Sequence, residues 1–151
     1  MRINIREANK SEAHIILELQ KLAYQSEAAL YQDWSIPPLV QTLSELEAEF
    51  EHYKILVAVI DQQIVGSVRG YVDQETGHLG RLIVNPDFQK RGIGAQLLKK
   101  IEKDMAASSY ELFTGHKSID NLRLYEKLGY RRFKTEKISD DLSFVYLRKL
   151  A

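Results

Sequence analysis

Apolar residues fall along this chain in two rhythms. KILVAVI (54–60), IVGSVRGYV (64–72) and HLGRLIV (78–84) are short β-branched runs separated by polar breaks, as buried strands are. Asp61-Gln62-Gln63 joins the first two as a hairpin, and Asn85-Pro86 stops the third, since proline has no N–H to give a ladder. The other rhythm is helical. Ile16, Leu19, Leu22 and Ala23 form one stripe; Leu39, Leu43, Leu46 and Phe50 form a second, after a break at Ser35-Ile36-Pro37-Pro38. Ile93, Leu97, Leu98, Ile101 and Met105 mark a longer helix over 92–107. RINIRE (2–7) and YELFTG (110–115) read as further strands, and Asn121 to Leu128 as a short helix with Gly129 as its C′ residue. Two strands, 130–138 and 143–149, close the chain around Ser139-Asp140-Asp141. The predicted order is β-α-α-β-β-β-α-β-α-β-β, a mixed α/β sheet. Its hairpins are antiparallel, and the crossover through the 92–107 helix makes the flanking strands parallel.

Composition narrows the function classes. The 151 residues fit one domain, and 44% hydrophobic with 28% charged residues is ordinary for a folded chain. Lys plus Arg and Asp plus Glu are both 21, so the basic excess of a nucleic-acid binder is missing. No cysteine is present, which excludes disulfide and thiolate chemistry and suits a reducing compartment. MRINIREANK carries charges where a signal peptide needs an apolar stretch, and no apolar run is long enough to span a membrane. A soluble cytoplasmic protein, with no metal ligand set and no nucleic-acid or membrane partner, is expected.

One stretch departs from these rhythms. QKRGIGAQLL (89–98) places two glycines and two cations where a strand ends and a helix begins. The first turn of a helix offers unpaired N–H donors and the positive end of its dipole, and glycine lets an anion come close. A pyrophosphate is the natural guest. The stretch lacks the G-x-x-x-x-G-K-S/T motif, and the third glycine of G-x-G-x-x-G would fall at Leu97. The same glycines also suit tight strand–helix packing, and the residues alone leave both readings standing.

Gln89-Lys90-Arg91-Gly92-Ile93-Gly94-Ala95 resembles the Q/R-x-x-G-x-G/A signature of the GNAT (general N-acetyltransferase) superfamily, which binds acetyl-CoA. NLRLYEKLGYRRF (121–133) resembles that family's second conserved block, in the right order and separation. The likeness covers roughly residues 54–150. It implies a single GNAT domain, with 1–53 on the acceptor side and 54–151 as the acetyl-CoA-binding core. The implied fold is a mixed, mostly antiparallel sheet, splayed between strands 78–84 and 110–115 and flanked by about four helices. It also implies that Leu82, Ile83 and Val84 pair with the pantetheine arm, that the amides from Gln89 through Ala95 hold the pyrophosphate, and that Asn121 contacts the arm. Tyr125 would protonate the departing thiolate. The implied acceptor is an amine on a small molecule or peptide, and homodimers are common in the family.

The reaction needs a base for the amine, a donor for the oxyanion and an acid for the thiolate, with no covalent intermediate. In several GNAT branches a glutamate stands where this chain has His78. A neutral imidazole with an ordinary pKa near 6.5 can take the same proton, although a lone histidine also serves as a packing residue. By the two-residue period, 78, 80, 82 and 84 share one face, and Gly80 leaves space beside His78. Tyr31, Trp34 and Ile36 are candidate acceptor-pocket residues. Glu45, Glu47, Glu49 and Glu51 either attract a cationic amine or form a solvated helix face. The expected function is direct acetyl transfer from acetyl-CoA to a primary amine; the alternative is a non-catalytic acyl-CoA-binding sensor.

Overall fold

The computed structural model describes residues 2–151. Strand β1 (Asn4–Glu7) is followed by four helices, α1 (Ala13–Ala23), α2 (Gln25–Tyr31), α3 (Pro37–Val40) and α4 (Leu43–Glu49). Then come β2 (Lys54–Ile60), β3 (Gln63–Asp73), β4 (Thr76–Val84), α5 (Ile93–Met105), β5 (Ser109–Gly115), α6 (Ile119–Lys127), β6 (Arg131–Lys137) and β7 (Ser143–Leu150). The seven strands form one sheet in the order β1-β2-β3-β4-β5-β7-β6. Only β4 and β5 pair in parallel, as the α5 crossover requires.

Six α-helices are present where about four were expected, because each of the first two predicted helices is divided. Tyr24, with ψ 0, separates α1 from α2, and left-handed Gln32 (φ 50) ends α2. Pro37 and Pro38 begin α3, where a missing N–H costs nothing, so they start a helix as well as break one. Two hairpin turns, Asp61-Gln62 and Gln74-Glu75, take positive φ at both residues without any glycine.

The sheet buries both faces. On one, Ile93, Leu97, Leu98 and Ile101 of α5 are sealed against β2–β4, joined by Leu122 and Tyr125 of α6. Each such side chain stabilises the fold by roughly 1.5–3 kcal/mol. On the other, Ala13, Ile16 and Leu46 of α1 and α4 cover Ile55 and Val57. A polar ring also fastens this second face. Arg69 of β3, only 2% exposed, donates to Glu49 Oε1 at 2.9 Å and to the Gln20 side-chain oxygen. Gln20 donates to Pro38 O (2.8 Å) and Gln41 (3.0 Å), and Gln41 donates back to Glu49. The acidic run before His52 therefore has structural employment. Glu45 closes a capping box with Thr42, Glu49 pairs with Arg69, and Glu51 lies 3.5 Å from Lys10.

The entry to α1 gives a pH prediction. Arg6 donates to both oxygens of Glu12 (2.9 and 2.7 Å), and the Asn9 N–H adds a third bond at 2.9 Å. These partners, Arg6 first, hold the Glu12 carboxyl down at about 2, against an ordinary 4.5. A folded-state pKa below the unfolded one stabilises fully above the ordinary value and is lost as pH falls toward the lower one. Glu12→Gln should therefore cost about 1–2 kcal/mol near neutrality, after allowance for partial solvent exposure. The difference from the parent should vanish between pH 4.5 and 2. Urea unfolding across that range measures it.

Candidate active site

Two irregularities in β4 open a cleft at the middle of the sheet. The first is the shortness of its partnership with β5, which covers only Thr76–His78 against Ser109–Glu111. Beyond these rungs β4 runs on to Val84 and β5 to Gly115 without pairing to each other, so the strands splay. The second is a bulge: Arg69 stands opposite Gly80 and Ser67 opposite Ile83, so Val68 faces both Arg81 and Leu82. Arg81 takes a left-handed φ of 49°.

The bulge corrects the parity read from the sequence. His78 stacks on Tyr71 (5.0 Å), whose edge meets Tyr53 (5.1 Å), on the α1–α4 side of the sheet. Leu82 and Val84 face the other way, toward Gly94 and the α5 core. One inserted residue shifts the alternation by one, so 78 and 80 share a face that 82 and 84 do not. Gly80 does leave space: a Cβ there would meet nothing within 4 Å.

The open edge of β4 is polar and unsatisfied. Asn85 N–H donates to Val65 O of β3 at 2.7 Å, and Ile83 O also turns toward β3, against Gly66. By strand alternation, the N–H and C=O groups of Leu82 and Val84 point into the splay. Of the three residues expected to pair with a pantetheine arm, Leu82 and Val84 turn their backbone groups into the splay, while those of Ile83 face β3.

The start of α5 closes one end of this edge. Gly92 is its N-cap with φ 80, and Lys90 also has a positive φ (63) after Gln89 at −71. Alternating φ signs turn successive N–H groups toward one point, an anion nest. Gln96 N–H returns to Gly92 O, while those of Gly92, Ile93, Gly94 and Ala95 have no backbone acceptor among the described residues. Gln89, Lys90, Arg91 and Gly92 are exposed around the nest, with Arg91 over the Phe88 ring at 5.1 Å. Gly94 faces β4 and α6, where an added Cβ would make ordinary van der Waals contact with Leu124 (3.4 Å) and Leu82 (3.7 Å).

Across the splay, α6 presents Asn121 and Tyr125, four residues apart and on one helical face. Asn121 Nδ2 donates to Thr114 Oγ1 (3.2 Å) and Glu27 Oε1 (3.3 Å), which leaves its carbonyl oxygen as an acceptor. Tyr125 is buried against Tyr130. Its hydroxyl makes no hydrogen bond among the described residues, yet is not sealed from solvent. Burial, with Tyr24 and Glu27 nearby, pushes its pKa up, so the phenol holds its proton.

Helix α2 reaches over from the acceptor side. Ser118 donates to Glu27 Oε2 at 2.5 Å, which leaves Tyr31 as the donor in its 2.9 Å bond with Ser118. Tyr31 in turn accepts from Lys117 N–H at 3.0 Å. The chain Lys117–Tyr31–Ser118–Glu27–Asn121 ties α2 to the β5–α6 junction. A Cβ on Gly115 would overlap the Tyr31 hydroxyl, so glycine there admits this contact. Trp34 is 55% exposed on the following turn, with no hydrogen bond or ring contact to Tyr31; Ile36 is half-buried just before Pro37. Of the three candidate acceptor residues, Tyr31 contacts the β5–α6 junction.

A strand edge, an anion nest and a buried phenol around one splay fit an extended, amide-bearing phosphate ester. A family model described as an acetyltransferase (GNAT) domain matches residues 21–151. The chain belongs to the GNAT acetyltransferase family. Solved GNAT structures share the fold over nearly their whole length. The PaiA N-acetyltransferase of Thermoplasma acidophilum, in complex with coenzyme A, superposes with a TM-score of 0.82 at 19% identity, over 100% of each chain. YncA of Salmonella typhimurium, a putative acetyltransferase with its cofactor acetyl-CoA, gives 0.76 at 18%, over 99% of this chain and 94% of that one. The Escherichia coli ribosomal-protein-S18-alanine N-acetyltransferase gives 0.76 at 13%, over 99% and 94%.

Within this GNAT site the structure adds Tyr24, Glu27, Arg81 and Ser118 to the residues read from the sequence. Arg81 had a signal, a charge inside the apolar run HLGRLIV. Glu27 had none, since a glutamate on a helix normally reads as solvated. No helix among the described residues is long and apolar enough to cross a membrane.

Proposed function

We propose that this GNAT protein transfers an acetyl group from acetyl-CoA directly to a primary amine. The unpaired edge of β4, running into the anion nest at α5, carries the reading, because it matches a pantetheine arm followed by a pyrophosphate. Bound acetyl-CoA supplies an activated acyl carbonyl and a thiolate leaving group. Leu82 and Val84 bind the arm's amides, the Asn121 oxygen accepts from one of them, and Gly92 through Ala95 hold the phosphates. Tyr125 keeps its proton for the departing sulfur, whose basicity rises in the same apolar surroundings.

His78 is proposed as the base, acting through water. Neither of its ring nitrogens is hydrogen-bonded among the described residues, and it shares a face with the open space at Gly80. Glu27, a second basic group near the cleft, has both oxygens engaged by Ser118 and Asn121. A soluble, cytoplasmic setting with an amine-bearing metabolite or peptide as partner accompanies this reading. So does the division into an acceptor-side 1–53 and a CoA-binding 54–151.

CoA release measured across an amine library tests the function. Turnover with at least one amine class is expected, whereas tight acetyl-CoA binding without turnover would make the protein a sensor. His78→Gln should lower kcat/KM and remove the ascending limb of its pH profile while CoA affinity stays constant. Retention of that limb at a comparable rate would transfer the role to another group.

A further inference from the structure

The acceptor side of the cleft holds a cation that the protein does not balance. The β4 bulge turns Arg81 out of strand alternation, at a position beyond the last β4–β5 rung. Its Nε is sealed from solvent without a hydrogen-bond partner. No carboxylate among the described residues lies within ion-pair distance of it. Arg69, the neighbouring guanidinium, also has an orphaned Nε, but its charge is matched by Glu49 at 2.9 Å. Beside Arg81 stand the hydroxyls of Tyr24 and Tyr53 and the Arg69 cation, none of which supplies a counter-charge. Burial raises the Tyr24 pKa, and Arg81 and Arg69 pull it back, so the three groups share one environment. Next to them, Gly80 leaves open space.

A half-buried, unpaired guanidinium is costly, and the cost is relieved when a ligand brings the counter-charge. The uncompensated charge is one unit, which suits a monoanion. A planar carboxylate also matches the donor fork of arginine. The nest at α5 is a separate anion site on the far side of the Leu82–Val84 edge, so the phosphates of CoA do not account for Arg81.

We infer that the amine acceptor also carries a carboxylate, seated on Arg81 beside the Tyr24 hydroxyl in the space left by Gly80. The inference rests on the acetyl-transfer reading and narrows its substrate class to amino-acid-like acceptors.

The test compares a panel of amino acids with their carboxamides in a CoA-release assay, each pair differing only in the anion. The wild-type protein should favour the free acid by about 10–100-fold in kcat/KM, the range for a hydrogen-bonded charge pair. Arg81→Gln should reduce that preference to within about threefold, the larger loss falling on the free acid. Arg81→Lys should retain part of it. Equal use of acid and amide by the wild type overturns the inference, as does an equal loss of both in Arg81→Gln. A second arm needs no turnover: propionate is titrated into the CoA-saturated protein while the Arg81 Nε–H resonance is followed by NMR. A saturable shift, absent with propionamide, supports the seat even if no amine is acetylated. No shift, together with turnover that ignores the carboxylate, removes the seat and leaves acetyl transfer standing.

Discussion

Tyr125→Phe is expected to lower kcat by roughly 10–100-fold or more while leaving CoA affinity and stability almost unchanged. The ring is what packs: it is buried in the α5–α6 core and contacts Tyr130. The hydroxyl contributes no internal hydrogen bond, so removing it strands no partner inside the fold. What disappears is the proton at the cleft, held there because burial and the nearby Tyr24 and Glu27 disfavour the phenolate. The pH profile should keep its ascending limb, since that limb belongs to the base. Single-turnover kinetics with saturating acetyl-CoA provide the measurement. An unchanged chemical step would leave Tyr125 as a packing residue.

Glu49→Ala should be the most destabilising of the surface-reaching substitutions, by about 3–5 kcal/mol. Arg69 is only 2% exposed, and Glu49 is its one carboxylate partner among the described residues. Burial pulls the Arg69 pKa down and Glu49 raises it again, so the carboxylate offsets part of the cost of burying that charge. Without the carboxylate, the guanidinium keeps its charge and loses its counter-ion, and Gln41 loses its acceptor as well. Replacing both members together, as Arg69→Met with Glu49→Leu, should recover much of the loss, since an apolar pair leaves no orphaned charge. Urea denaturation of the two variants gives both numbers. A Glu49→Ala protein within 1 kcal/mol of the parent would mean that solvent reaches Arg69.

The strands and the two C-terminal helices were legible because their periodicity is strong. IVGSVRGYV, HLGRLIV and the α5 stripe each contain enough apolar residues to define one face. The glycine turn before α5 was legible because Gly92 needs a left-handed backbone, and few turns place such a residue at a helix start. The bulge was not. A strand with one extra residue has the same composition as a regular one, so only the partner's register reveals that 82 and 84 have changed face. The divided N-terminal helices were hidden for a related reason: Tyr24 and Gln32 are ordinary helix residues, and tertiary contacts, not propensity, bend the chain there. Glu27 became visible only when β5 and α6 brought Ser118 and Asn121 to it across 91 and 94 positions of sequence.

Three rungs between β4 and β5 make a weak seam. On one side lie β1 to β4, and on the other β5, β7 and β6, each held by long antiparallel ladders. A pantetheine arm laid along Leu82 and Val84 would act as a crosslink between these two half-sheets, and the enzyme would complete its own architecture with its co-substrate. The amides of Leu82 and Val84 should then exchange fast in the free protein and slow when CoA is added, while that of Ile83 stays protected. The melting temperature should rise with CoA concentration as the logarithmic law for a ligand of the native state demands. Between turnovers, as product CoA leaves, the molecule would work as a hinged pair of leaves.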